Sequence, residues 1–121
     1  MLQIGSYSDL NVVKKVYFGF YVNAENLGIV LLPIKFAPQD LAIGDEIEVF
    51  LYLDSEGLPV ATTQEAYAAV GEFCYLRVVD TTGIGAFLDW GLDKDILVPF
   101  AEQHRPMEVG KYYLVYLYVS E

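Results

Sequence analysis

Cysteine, histidine and tryptophan each occur once in these 121 residues. A lone Cys74 excludes an internal disulfide, and neither it nor His104 has a partner at the spacing of a zinc site or a nucleophilic triad. Basic residues are scarce as well: seven Lys and Arg stand against seventeen Asp and Glu, for a formal net charge of -10. Backbone-driven nucleic-acid binding needs many neutralised phosphates, so any such contact here must come from a local site. The same charge keeps an apolar surface in solution. Long hydrophobic runs are missing too, since stretches such as Tyr112 to Val119 are far too short to span a bilayer. The N-terminus lacks the basic start and apolar stretch of a signal peptide. These absences imply a soluble protein in a reducing, cytoplasmic setting, with no membrane partner.

Chemistry-bearing motifs are equally thin. Asp89, Asp93 and Asp95 lack the terminal Glu of a calcium loop. Gly83-Ile84-Gly85 leads into a strand pattern where a dinucleotide motif would open a helix. No metal, no cofactor and no catalytic constellation is expected, which argues against an enzyme.

What the chain does have is a repeat. A gap-free shift of 66 residues carries Leu10, Val12, Val13, Gly19, Leu31, Pro33, Gly44, Val49, Leu51 and Tyr52 onto Leu76, Val78, Val79, Gly85, Leu97, Pro99, Gly110, Val115, Leu117 and Tyr118. Gly5 falls on Gly71 in the same shift. Two copies of one small unit are therefore expected, over residues 1–64 and 71–121, with a short linker at 65–70. Each copy sits near the lower size limit for an independent core. Gln64 to Ala69, rich in Ala and Glu, predicts one helical turn, too short to be a flexible tether. The counterpart of Thr63 would fall beyond Glu121, so the second copy is expected to lack its last strand.

The apolar pattern has a period of two. Glu46 to Leu53 alternates, with Ile47, Val49, Leu51 and Leu53 inward and Glu46, Glu48, Phe50 and Tyr52 on the other face. Tyr113, Val115, Leu117 and Val119 repeat the inward set. First strands are expected over Leu10 to Tyr17 and Leu76 to Asp80, second strands over Phe20 to Asn23 and Ala86 to Trp90, and third strands over Ile29 to Pro33 and Ile96 to Pro99. Trp90, at the end of its strand, reads as an aromatic folded onto its own barrel. A loop or short helical turn should cross from the third to the fourth strand, and Asp54-Ser55-Glu56-Gly57 predicts a hairpin into a fifth, Leu58 to Thr63. The fold class is all-β: two tandem five-stranded OB-type barrels, the second truncated before its last strand.

The run Phe18-Gly19-Phe20-Tyr21-Val22, with an apolar third strand and Gly44-Asp45 beyond it, resembles the S1 RNA-binding domain, and Ile84-Gly85-Ala86-Phe87-Leu88 repeats it. More narrowly, Glu48-Val49-Phe50-Leu51-Tyr52-Leu53-Asp54-Ser55-Glu56 with Ala61-Thr62-Thr63 is similar to the conserved virulence factor B family. So is Gly85-Ala86-Phe87-Leu88-Asp89-Trp90-Gly91 with Lys94-Asp95-Ile96-Leu97-Val98-Pro99-Phe100. Those are longer bacterial tandem S1-domain proteins regarded as RNA-binding regulators, so the resemblance implies that this chain corresponds to their N-terminal portion. It also implies a face on which single-stranded RNA stacks, through Phe18 and Tyr21 in the first copy and Phe87 in the second. Lys14, Lys15 and Lys35 flank the first face, and Arg77 the second. The copies depart from the pattern at Ile84, which replaces the aromatic at Phe18, and at Pro33 and Pro99, which replace a His.

A second functional reading comes from the fourth strand of the second copy. Its outer set, Tyr112, Leu114, Tyr116 and Tyr118, is apolar where the first copy has Glu46, Glu48, Phe50 and Tyr52. Such a face marks an interface with the other barrel, with a further domain of a longer chain, or with a second subunit, and a missing edge strand points to dimerisation. In this reading the barrels are degenerate S1-like modules that position or contact protein and bind no RNA of their own.

Overall fold

The computed structural model describes residues 2–118. They form two compact units divided between Gln64 and Glu65. In the first, β1 (Tyr7–Val16), β2 (Gly19–Asn23), β3 (Ile29–Pro33), β4 (Glu46–Leu53) and β5 (Pro59–Thr62) close into a barrel of order β1-β2-β3-β5-β4. Every pairing is antiparallel except β3 with β5, which meet in parallel at Leu31 and Val60. The second unit repeats the design with β6 (Phe73–Thr82), β7 (Gly85–Asp89), β8 (Ile96–Pro99) and β9 (Tyr112–Tyr116) in the order β8-β7-β6-β9. Among the described residues no strand joins β8 to β9, so the expected truncation leaves an open, curled sheet. Val119 of the expected inward set lies outside the described residues.

The first core follows from alternation. Leu10, Val12, Phe20, Val22, Val30, Leu32, Val49, Leu51 and Ala61 point inward and pack as one cluster. Short 3-10 turns, Ile34–Phe36 and Phe100–Glu102, follow β3 and β8 and start the two crossings. The Asp54 turn forms as its sequence predicts: the side-chain carboxylate accepts the Glu56 and Leu58 amides at 2.8 and 2.9 Å, and Gly57 takes a φ of 82°. Trp90 is buried and its indole N–H donates to the Lys94 carbonyl at 2.6 Å.

Two expectations need correction. Phe50 and Tyr52 lie on the face opposite Val49 and Leu51 as expected but are buried there, and Tyr7, the β1 partner of Phe50, lies edge-on to it with ring centroids 4.9 Å apart. Residues 64–69 form no helical turn, because their amides are taken by other partners. Gln64 N–H donates to the Thr62 hydroxyl, Tyr67 N–H to the Trp90 carbonyl and Ala69 N–H to the Glu72 carboxylate.

Both copies keep glycine where the third strand crosses close to the second. A Cβ at Gly19 would stand 2.4 Å from the Leu32 carbonyl oxygen, and one at Gly85 2.4 Å from that of Val98. The obstacle in each case is backbone, which cannot swing aside. Gly19→Ala is expected to destabilise the chain by about 1–3 kcal/mol, read as a lower urea midpoint at unchanged m-value; an unaltered midpoint would show that β3 does not approach as closely as described.

Candidate nucleic-acid interface

The outer surface of β1 and β2 carries Lys14 and Tyr21 and leads to Phe18 at its hairpin, whereas Lys15 pairs with the core residue Phe20 and so takes the opposite side at the end of β1. Strict alternation along β1 would turn Lys14 to the same side as the core residues Leu10 and Val12. A register shift between Val12 and Lys14 prevents this: Val12 pairs with Val22, and the next pair is Lys14 with Tyr21. Lys14, Tyr21, Leu31 and Val60 then form one outward row across four strands. The Lys14 ammonium stands 6.0 Å from the Tyr21 ring centroid.

The β1–β2 hairpin turns through Tyr17 and Phe18, between the paired Val16 and Gly19. Tyr17 is 93% exposed and Phe18 41%, with Tyr21 partly exposed beside them. Their rings step edge-to-face from the hairpin tip onto the sheet, with centroids 5.0 Å apart for Tyr17 and Phe18 and 6.4 Å for Phe18 and Tyr21. Ile34 N–H donates to the Phe18 carbonyl at 3.0 Å, which fastens the turn carrying Lys35 against this hairpin. Lys35 itself lies 5.0 Å from the Phe36 ring, and Lys15 lies 5.7 Å from the ring of the buried Phe20, at the barrel rim. Pro33, opposite Gly19, adds an apolar floor where the S1 pattern has a His.

The structure thus brings Phe18, Tyr21, Lys14, Lys15 and Lys35 to one end of one barrel. It adds Tyr17, which sequence reasoning missed; its signal was an aromatic pair filling a two-residue turn. Exposed rings on a hairpin offer faces for flat, apolar groups, and the ammonium groups offer charge to an anion tethered to them.

The second unit uses the same backbone with different chemistry. Its register shift, between Val78 and Asp80, sets an aspartate opposite Phe87 where the first unit sets Lys14 opposite Tyr21. In the repeat, Lys15 becomes Thr81 and Lys35 becomes Ala101, while Gly83 and Ile84 form the hairpin turn in place of Tyr17 and Phe18. Arg77 is exposed, but its cross-strand partners are Asp89 and Tyr112. Phe87 and Arg77 therefore stand among acids. Burial, then Asp89, then Asp80 hold the Asp95 carboxyl above the usual aspartate range.

The expected apolar face of the second unit is also on view. Tyr112, Leu114, Tyr116 and Tyr118 are each about half exposed or more, and β6 adds Phe73 and Tyr75. Phe73 pairs with Tyr116, ring centroids 4.8 Å apart, and Tyr75 pairs with Leu114, so β6 and β9 share an apolar outer face. The alternation of Phe73 and Tyr75 in the sequence was the overlooked sign of its second half. Tyr118 donates to the Glu102 carboxylate, which holds its phenol above the usual tyrosine range. Among the described residues no helix is long and apolar enough to cross a membrane.

Barrel order, hairpin and glycine positions are those of an OB-type barrel, and residues 4–64 match the S1 domain family. The chain belongs to the S1 domain family. Over 103 residues it is 31% identical to the uncharacterized protein YitL of Bacillus subtilis (strain 168), a match that spans 84% of this chain and 34% of that one. A crystal structure of a multidomain protein with nucleic acid binding domains from Streptococcus pneumoniae TIGR4 superimposes with a TM-score of 0.80 at 22% identity. It covers 98% of this chain and 42% of its own. The chain therefore spans about a third of that curated relative and about two fifths of the solved structure.

Because the raised Asp95 favours the protonated carboxyl in the folded state, its stabilising contribution is complete below the unfolded value of 3.8 and is lost as pH rises through the higher folded value. Asp95→Asn is expected to raise the melting temperature at pH 7, with the gain vanishing below about pH 3.8. A gain that persists at pH 3 would mean the carboxylate is not the cause.

Proposed function

We propose that the first unit binds single-stranded RNA on the outer face of β1 to β3. Bases stack on Tyr17, Phe18 and Tyr21, and Lys14, Lys15 and Lys35 meet the phosphates. The observation that carries this reading is the Lys14–Tyr21 pair: a cation and an exposed ring share one cross-strand row, beside an aromatic hairpin tip. Membership of the S1 family supports it, as does the fold shared with a protein described as having nucleic acid binding domains. The second unit, with Asp80 opposite Phe87, contributes little of its own through Phe87 and Arg77. On this reading the chain is a binding module and no enzyme. It serves as the N-terminal portion of a longer, cytoplasmic bacterial regulator of the conserved virulence factor B type.

A second role is supported by a specific observation, the exposed aromatic face of β6 and β9. There the second unit meets protein, a further domain or a second copy, through Tyr112, Leu114, Tyr116 and Tyr118, while the first unit meets RNA.

Titration of a labelled single-stranded RNA at low and moderate salt tests the first role. Tyr21→Ala should weaken binding about tenfold, the loss of one stacked base. Removing Lys14 and Lys15 together should flatten the salt dependence by about 1.4 in log–log slope, and Phe87→Ala should change neither quantity. Absence of binding at low salt, or binding indifferent to Tyr21, would refute the assignment.

A further inference from the structure

Tyr67, Tyr75, Arg77, Asp89 and Tyr112 surround a shallow pocket of about 280 Å³ on the second unit, and Leu76 completes its lining. Three strands and the linker place them. Arg77 on β6 is the cross-strand partner of Asp89 on β7 and of Tyr112 on β9, and Tyr75 lies two residues back on the same face of β6. Tyr67 arrives from the linker, where its N–H donates to the Trp90 carbonyl at 2.8 Å. Its ring lies against Gly91, at which a Cβ would stand 3.3 Å from the ring carbons.

The repeat gives an independent indication, because the fold does not need these side chains. Where the second unit has Tyr75, Arg77, Asp89 and Tyr112, the first has Asp9, Asn11, Asn23 and Glu46. Asn23 even performs the backbone task of Asp89: its Oδ1 accepts the Glu25 N–H at 3.0 Å, as Asp89 Oδ1 accepts the Gly91 N–H at 2.9 Å. The carboxylate of Asp89 thus adds a charge that its turn does not require. Among the described residues its second oxygen has no hydrogen-bond partner, and the Arg77 guanidinium makes neither a hydrogen bond nor an ion pair.

Charge narrows the ligand. The guanidinium repels a cation, and Asp89, with Asp95 in electrostatic reach of it and of Asp80, repels an anion. A neutral ligand remains, flat enough to lie against tyrosine rings, with an acceptor for Arg77 beside donors for Asp89. Among the common nucleobases guanine alone has that edge: O6 accepts, while N1–H and the 2-amino group next to it donate. Uracil would turn its O2 toward the carboxylate, and adenine and cytosine would set a bare ring nitrogen there beside one amino group. We propose that this pocket binds a guanine base, with tyrosine rings against its faces, Arg77 on O6 and Asp89 on the two donors. The acids that keep Arg77 from phosphate do not oppose a neutral base, so the site goes beyond the RNA-binding face of the first unit and does not rest on it.

Calorimetric titration of the 121-residue chain with guanosine tests the site. Saturable binding is expected below about 1 mM. Inosine, which lacks only the 2-amino group, should bind about tenfold more weakly, and adenosine and uridine more weakly still. Arg77→Asn and Asp89→Asn install the first unit's own residues and so keep the fold, checked by circular dichroism. Each should weaken guanosine binding at least about tenfold, and Asp89→Asn should also erase the preference for guanosine over inosine. Tyr21→Ala, on the first unit, should leave guanosine binding unchanged, so failure here and failure of the RNA reading are seen separately. A guanine-bearing RNA trinucleotide identifies the source: tighter binding than guanosine marks a base read within a strand, weaker binding a free nucleoside, and both support the site. No saturation by about 1 mM guanosine, equal binding of inosine or adenosine, or undiminished binding by Asp89→Asn would overturn the proposal.

Discussion

A single extra residue in β1 sets the chemistry of the first barrel. The register shift at Val13 bends the strand around the core and reverses the facing of everything after it. Without it, Lys14 would follow Leu10 and Val12 into an apolar interior, where an unpaired ammonium is strongly disfavoured. With it, Lys14 joins Tyr21 and Leu31 on the outer row. The same shift in β6 delivers Asp80 to Phe87. One backbone device, repeated, creates two faces of opposite charge from two copies of one scaffold.

Closure is the second constraint, and it divides the units in another way. β5 supplies the parallel pairing to β3 and the antiparallel pairing to β4 that seal the first core, with Ala61 fully inside. The open second sheet buries Leu76, Val78 and Leu88 but leaves Ile96, Val98 and Val115 partly wet. A small unit has little surplus stability to lose. The apolar face of β6 and β9 adds further exposed apolar area to that unit.

Much of the fold was legible because its signals are local. Alternation bounded by Gly, Pro and Asp located β3, β4 and β8 to the residue, since successive side chains of a strand point to opposite faces. The linker misled because helix propensity is weak beside available partners: the Thr62 hydroxyl, the Trp90 carbonyl and the Glu72 carboxylate claim the amides that a helical turn would need. Phe50 and Tyr52 misled for a related reason. Alternation reports two faces, and burial of the second face depends on neighbours distant in sequence, of which Tyr7 is one.

The sequence by itself determined the repeat, the all-β class, the glycines that allow the third strand to approach the second, and the residue types available at each site. These are properties of spacing and side-chain size, which survive without knowledge of partners. Only the tertiary structure decided which of those residues share a face. It turned Lys14 outward beside Tyr21, placed Tyr17 at an exposed tip and set Arg77 opposite Asp89. Facing depends on register between strands far apart in the chain, and a shift of one residue reverses it.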